Sequence, residues 1–164
     1  VWPVLTMPKF VPTFRLDAVW EVNLEFMERN DIKGLIVDID RTIAAQDSMD
    51  LWPSASRWLS EVKKSRIPLV LLSNNNERRV VQLARKYNCA FIADARKPLT
   101  KNFLRAQEML ELPKSQIVMI GDKTITDIVG GNYAGIRTIL VNSLRSDKTR
   151  NWGWFGKKRK VLEN

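Results

Sequence analysis

Short apolar runs at residues 35–39, 68–72, 90–93, 117–120 and 138–141 recur along the chain, and segments with helical patterning lie between them. Runs of this length, rich in β-formers and bounded by glycine or polar turns, read as buried strands. Residues 54–65 put Trp58, Leu59 and Val62 on one helical face and Lys63 and Lys64 on the other. Residues 77–87 read as a second helix, with Asn76 as a suitable N-cap and Glu77 matched to the positive end of the helix dipole. A third helix is expected over 100–112, with Phe103, Leu104, Met109 and Leu110 apolar, and a short one runs to Gly135, a natural left-handed stop. Such alternation with short connections predicts an α/β fold: a doubly wound, mostly parallel sheet flanked by helices on both faces. No internal repeat and no second domain are visible.

The chain ahead of this alternation is less regular. Residues 1–14 place Pro3, Pro8 and Pro12 among Trp2, Phe10 and Phe14, and the prolines exclude a regular helix. Residues 17–30 carry Val19, Trp20, Val22, Leu24, Phe26 and Met27 in a mixed pattern, read as a helix packed on the sheet.

In open parallel sheets, ligands bind beyond the carboxyl ends of the strands. Four of the expected strands end in reactive residues: Asp38, Asp40 and Thr42, then Ser73 and Asn74, then Lys97, then Asp122 and Asp127. If the strands are parallel, all four sets meet on one edge of the sheet. Alternation along an extended strand puts Asp38 and Asp40 on the same side, and like charges that close raise each other's pKa or need a cation between them. The first set alone is equally readable as a solvated strand end; four in succession are not. Three carboxylates suit a hard cation such as Mg2+. Lys97 and Ser73 can hold the non-bridging oxygens of a phosphoryl group. One aspartate can attack phosphorus while a second carboxylate handles the proton of the leaving alcohol and then of water.

Composition narrows the chemistry further. The 164 residues contain no histidine, which excludes a Ser-His-Asp triad, a Cys-His pair and histidine-ligated zinc. Cys89 is the single cysteine, so no disulfide can form within the chain, and a reducing compartment fits. The formal net charge of +9 favours anionic partners: phosphorylated metabolites, nucleic acid or an acidic membrane surface. No run approaches the about 18 apolar residues of a spanning helix, and no signal peptide is recognisable. The first residue is Val1 rather than methionine, which leads us to expect a longer natural N-terminus.

Asp38-Ile39-Asp40-Arg41-Thr42 resembles the DxDxT first motif of the haloacid-dehalogenase-type (HAD) phosphatases. Ser73 after an apolar strand resembles their second motif, Lys97 the third, and Gly121-Asp122 with Asp127 the fourth, in the family's order from Gly34 to Val141. The stretches Ser73-Asn74-Asn75-Asn76-Glu77-Arg78-Arg79-Val80, Ala95-Arg96-Lys97-Pro98 and Gly130-Gly131-Asn132 look like the small YqeG-type branch, related to phosphatases of phosphatidylglycerophosphate. The resemblance implies a HAD-like Rossmannoid fold with Asp38 as nucleophile and Asp40 as general acid/base. It implies Mg2+ held by Asp38, Asp122 and Asp40 through its backbone carbonyl, with Asp127 on the metal side or behind it. It also implies phosphate binding by Thr42, Ser73, Asn74 and Lys97. Arg41 and Lys123 depart from the branch by adding positive charge where neutral residues are usual.

Residues 42–73 and 73–97 leave no room for a sizeable cap domain, so the site is expected to be open and its substrate large. Trp152, Trp154 and Phe155 beside Lys157-Lys158-Arg159-Lys160 suit peripheral docking on acidic lipid. A basic tail without a partner, or RNA bound by stacking and charge, would use the same residues. The expected organisation is an N-terminal segment and helix over 1–33, a phosphatase core over 34–142 and a basic, aromatic tail over 143–164. The expected activity is dephosphorylation of phosphatidylglycerophosphate to phosphatidylglycerol, with no obligate protein partner and no nucleic acid. The expected location is cytoplasmic or in an organelle matrix, peripheral on the membrane. Other readings are the same chemistry on a nucleic acid 3′-phosphate, a phosphoprotein or a soluble metabolite, a phosphorylatable receiver-like module, or an inactive binding module. Receivers place an acidic pair first and their lysine last, an order this chain does not follow.

Overall fold

The computed structural model describes residues 9–144. Its six strands are all parallel and form one sheet in the order β1-β6-β5-β2-β3-β4. They are β1 (Phe14–Arg15), β2 (Gly34–Val37), β3 (Leu69–Leu72), β4 (Ala90–Ile92), β5 (Ile117–Gly121) and β6 (Arg137–Leu140). The helices are α1 (Leu24–Arg29), α2 (Pro53–Lys64), α3 (Glu77–Tyr87), α4 (Lys101–Leu110) and α5 (Gly130–Tyr133). Strand β2 is central: Leu35 sits opposite Leu69 of β3 on one side and Val118 of β5 on the other.

Side-chain alternation along the strands divides the core into two layers. Leu35, Val37, Leu71, Val118 and Ile120 pack under residues of α1, α2 and α3, among them Met27, Trp58, Leu59 and Leu83. Ile36, Val70, Leu72, Ile117 and Met119 face the other way, against Phe103, Ala106 and Leu110 of α4. Both faces of the sheet are thus covered, which is why the strands are apolar throughout rather than alternating. The expected doubly wound α/β fold is present as a single domain with no cap between its motifs.

Two N-terminal features differ from the sequence expectation. Strand β1 (Phe14–Arg15) adds a sixth strand at the sheet edge. Here Thr13 and Thr138 exchange bonds, each backbone N–H donating to the other's Oγ1 at 3.2 and 3.0 Å. A two-residue strand is too short to leave a period in the sequence. The helix expected over 17–30 is instead a 3-10 turn at Val19–Glu21 followed by α1. Asn23 separates them, its Oδ1 accepting from Phe26 N at 2.8 Å, and an N-cap of this kind starts a new helix rather than continuing one. The aromatic and basic residues from Trp152 to Lys160, and Trp2, lie outside the described residues. Among the described residues no helix is long and apolar enough to cross a membrane.

Candidate active site

The C-terminal ends of β2, β3, β4 and β5 bring the four polar sets together around one cleft of about 280 Å³, which Asp122, Asp127 and Thr42 adjoin without lining it. Asp38, Asp40, Gln46, Ser73, Asn74, Lys97, Lys123 and Thr126 are among the residues that line it. Asp38 extends the ladder of β2, its N–H donating to Ile120 O at 2.9 Å, so its backbone is fixed by the sheet, while Lys97 and Thr42 hold its carboxylate. Lys97 follows β4, and its Nζ lies 2.9 Å from Asp38 Oδ1 and 2.6 Å from Asp127 Oδ1. Burial pushes the Lys97 ammonium down, but the charges of Asp38 and Asp127 outweigh it, and the net shift is upward. Lys97 is therefore a fixed cation.

Asp127 is completely buried. It sits in a π-helical turn, Thr124–Val129, and its Oδ2 accepts from Lys123 N at 3.1 Å. A wider turn of this kind is common where a side chain must be re-aimed at a site. Gly121 makes room for it, because a Cβ there would lie 2.2 Å from Asp127 Oδ2. Burial, with the Asp38 charge adding to it, pushes the Asp127 carboxyl up to about 6 despite Lys97. Asp122 is also pushed up, mainly by burial and further by Asp38, against a hydrogen bond from Ser143 Oγ at 2.7 Å.

Carboxylate oxygens of Asp38, Asp122 and Asp127 lie within 4.8 Å of one another. Like-charge crowding is present in this group of three, and the regular strand ends at Val37. Asp40 is neutralised separately: Arg79 NH2 lies 2.7 Å from its Oδ1 and NH1 3.2 Å from its Oδ2. Asp47 N donates to Asp40 Oδ1 at 3.0 Å, and Asn75 Nδ2 contacts Asp40 Oδ2 at 3.3 Å and Asp47 Oδ1 at 2.9 Å. Arg79 also donates to Ser48 O at 2.7 Å and so ties the 41–51 loop to the site. The sequence marks Arg79 as part of the branch-like stretch and as the third residue of a capped helix, but assigns it no role at the site.

The remaining expected phosphate ligands fall into different layers. Ser73 is buried beside the cleft, and its Oγ accepts from Asn75 N at 3.0 Å, leaving the hydroxyl hydrogen for a ligand oxygen. Asn74 uses both ends of its carboxamide on one neighbour, accepting from Lys97 N at 2.7 Å and donating to Lys97 O at 3.1 Å. It thereby fixes the backbone that carries Lys97. Thr42 is fully buried behind the cleft, its Oγ1 3.3 Å from Asp38 Oδ2 and 3.4 Å from Asp122 Oδ1. Of the two departures noted above, Lys123 lines the cleft, whereas Arg41 is exposed and does not.

An oxygen-only group of three carboxylates beside an open cleft fits a hard divalent cation. All three also have protein partners: Asp127 has Lys97 and the Lys123 N–H, Asp38 has Lys97 and Thr42, and Asp122 has Thr42 and Ser143. The arrangement offers a nucleophile, a cation for negative oxygens, a hydroxyl donor and a second carboxylate.

Residues 94–152 match the HAD-hydrolase-like family model. The chain is 38% identical over 132 residues to the "Probable phosphatase YqeG" of Bacillus subtilis, an alignment covering 80% of this chain and 77% of that protein. It is 23% identical over 132 residues to the chloroplastic/mitochondrial phosphatidylglycerophosphate phosphatase 1 of Arabidopsis thaliana, covering 75% of this chain but 38% of that protein. The 4-nitrophenylphosphatase structure from Thermotoga maritima shares the fold, with a TM-score of 0.57 at 16% identity over 74% of this chain and 90% of that one. Matched motifs in order, one strand-end cleft and a relative at this identity agree: the chain belongs to the HAD-like phosphatases, in their YqeG-type branch.

Proposed function

We propose that this protein is a Mg2+-dependent phosphomonoesterase that works through an aspartyl-phosphate at Asp38 and acts on phosphatidylglycerophosphate. The observation that carries the chemistry is the Asp38 carboxylate fixed at a strand end, 2.9 Å from the Lys97 ammonium, at the wall of an uncapped polar cleft. Asp38 attacks phosphorus while Lys97 and the Ser73 hydroxyl take up charge on the non-bridging oxygens. The bond from phosphorus to the leaving oxygen breaks, and Asp40 supplies the proton that makes it an alcohol. Asp40 then takes a proton from water, which attacks the phosphoryl group, frees the Asp38 carboxylate and releases inorganic phosphate. Asp38, Asp122 and the Asp40 backbone carbonyl would hold Mg2+, which supplies Lewis-acid stabilisation of the phosphoryl oxygens.

The substrate follows from access. A cleft of about 280 Å³ is near the lower end of small-molecule pockets, which span about 300–1,000 Å³, and it suits a phosphate whose remainder stays outside. The plant relative's name and the basic, aromatic sequence after residue 144 support a lipid at an anionic membrane surface. Phosphate release from phosphatidylglycerophosphate in detergent micelles, compared with soluble phosphomonoesters, tests this. The expected result is faster lipid turnover per enzyme; brisk turnover of a soluble ester with none on the lipid would overturn the substrate.

The proton on Asp127 gives a second test. At pH 7.5 this carboxyl is ionised, and the acidic group accepts a cation without losing a proton. As pH falls through about 6, a proton competes for Asp127, the charge opposite Lys97 falls, and Lys97 draws more closely on Asp38. Metal affinity then drops. The rise in melting temperature caused by Mg2+ should therefore shrink between pH 7 and pH 5; a constant rise would contradict the assignment.

A further inference from the structure

We propose that the rim of the cleft formed by the turns after β4 and β5 is the face this protein lays on an anionic lipid bilayer, with Leu99 and Ile125 entering the acyl region. The inference rests on the membrane-substrate reading above and assigns the surface that serves it. Leu99 is 62% exposed and Ile125 57%, and each lies next to the chemistry. Leu99 is two residues beyond Lys97, and Ile125 lies between Lys123 and Thr126 of the cleft wall. The two turns abut: Lys97 Nζ reaches Asp127 Oδ1 at 2.6 Å, and a Cβ on Gly130 would lie 3.0 Å from the Pro98 Cα. Apolar side chains so exposed beside a charged cleft do nothing for the core.

The charge on these turns matches an anionic surface. Arg96, Lys101 and Lys123 are exposed there, against one exposed acid, Asp94. Shallow apolar insertion together with cations near the surface is the pattern of peripheral membrane binding. The chain also leaves the described residues at this edge. Ser143 Oγ donates to Asp122 Oδ2 at 2.7 Å, and Leu144 N donates to Arg41 O at 3.1 Å. The described chain therefore ends beside the cleft. In this orientation the mouth of the cleft faces the headgroups, and a phosphomonoester enters without its lipid leaving the bilayer.

The test is sedimentation of the full chain with vesicles of phosphatidylcholine, with and without half phosphatidylglycerol, for the wild type and for L99S/I125S. The wild type should partition onto the phosphatidylglycerol vesicles, and the double variant should do so roughly ten- to a hundredfold less. Both side chains are exposed, so turnover of 4-nitrophenyl phosphate by the double variant should match the wild type, which shows that the variant is folded. Equal sedimentation of both proteins, or none by the wild type, would overturn the rim as the docking face. Phosphate release in detergent micelles decides the substrate separately. Failure there with normal vesicle binding sinks the lipid substrate alone, and normal release with equal vesicle binding sinks the rim alone.

Discussion

Replacing Asp38 with asparagine is expected to lower phosphomonoester turnover by at least about 10⁴-fold while the protein stays folded. In the proposed mechanism this carboxylate bonds to phosphorus, and the isosteric amide is not a nucleophile. The fold has little reason to suffer. Lys97 keeps Asp127 as an ionic partner at 2.6 Å, and the Asp38 backbone bond to Ile120 is untouched. Loss of the Asp38 charge also relieves the repulsion that pushes Asp122 and Asp127 up. Melting temperature measured beside turnover separates the two effects, and a variant that is both unfolded and inactive would show that Asp38 serves the fold.

Lys97→Ala should damage both activity and stability. Among the described residues the ammonium is the one cation bonded to Asp38 and Asp127, and removing it leaves two nearly buried carboxylates facing each other. Breaking a buried pair from one side costs about 3–5 kcal/mol. Loss of a cation held against the phosphoryl oxygens adds a turnover defect of about 10²–10³-fold. The stability defect depends on pH in a direction that can be worked out. Without Lys97, the folded-state pKa of Asp127 rises above its present value of about 6, further from that of the unfolded chain. The folded variant then binds a proton that the unfolded chain does not, so the variant regains stability as pH falls from neutral toward 5. Urea unfolding at pH 7.5 and pH 5 should show a smaller deficit at the lower pH. An equal deficit at both would mean that Lys97 matters through packing rather than charge.

The fold was legible wherever burial is periodic. The helix expected over 77–87 is α3 with its Asn76 cap in place, because the apolar face, the cap and the dipole residue all agree there. The short N-terminal pieces were not legible. Strand β1 is held by a bond exchange between threonines that are 125 residues apart, which no local pattern reports. The candidate site was legible as residues converging on one strand edge, since reactive residues after successive parallel strands must share it. What each side chain touches there was not. The Arg79 clamp on Asp40, the use of Asn74 on the Lys97 backbone and the burial of Thr42 depend on loop paths that spacing does not determine. Asp127 is the clearest case. Its motif position fits a metal ligand, and the π-helical turn also brings its oxygens to Lys97 and the Lys123 amide, contacts that spacing does not report.

The most direct measurement is to mix the enzyme, Mg2+ and a phosphomonoester labelled in its phosphate, quench in acid within the first turnover, and map the labelled peptide. The mechanism predicts an acid-stable, hydroxylamine-sensitive phosphate on the peptide containing Asp38, absent from Asp38→Asn. Turnover at the full rate with no protein-bound phosphate, or with the label on another residue, would contradict it.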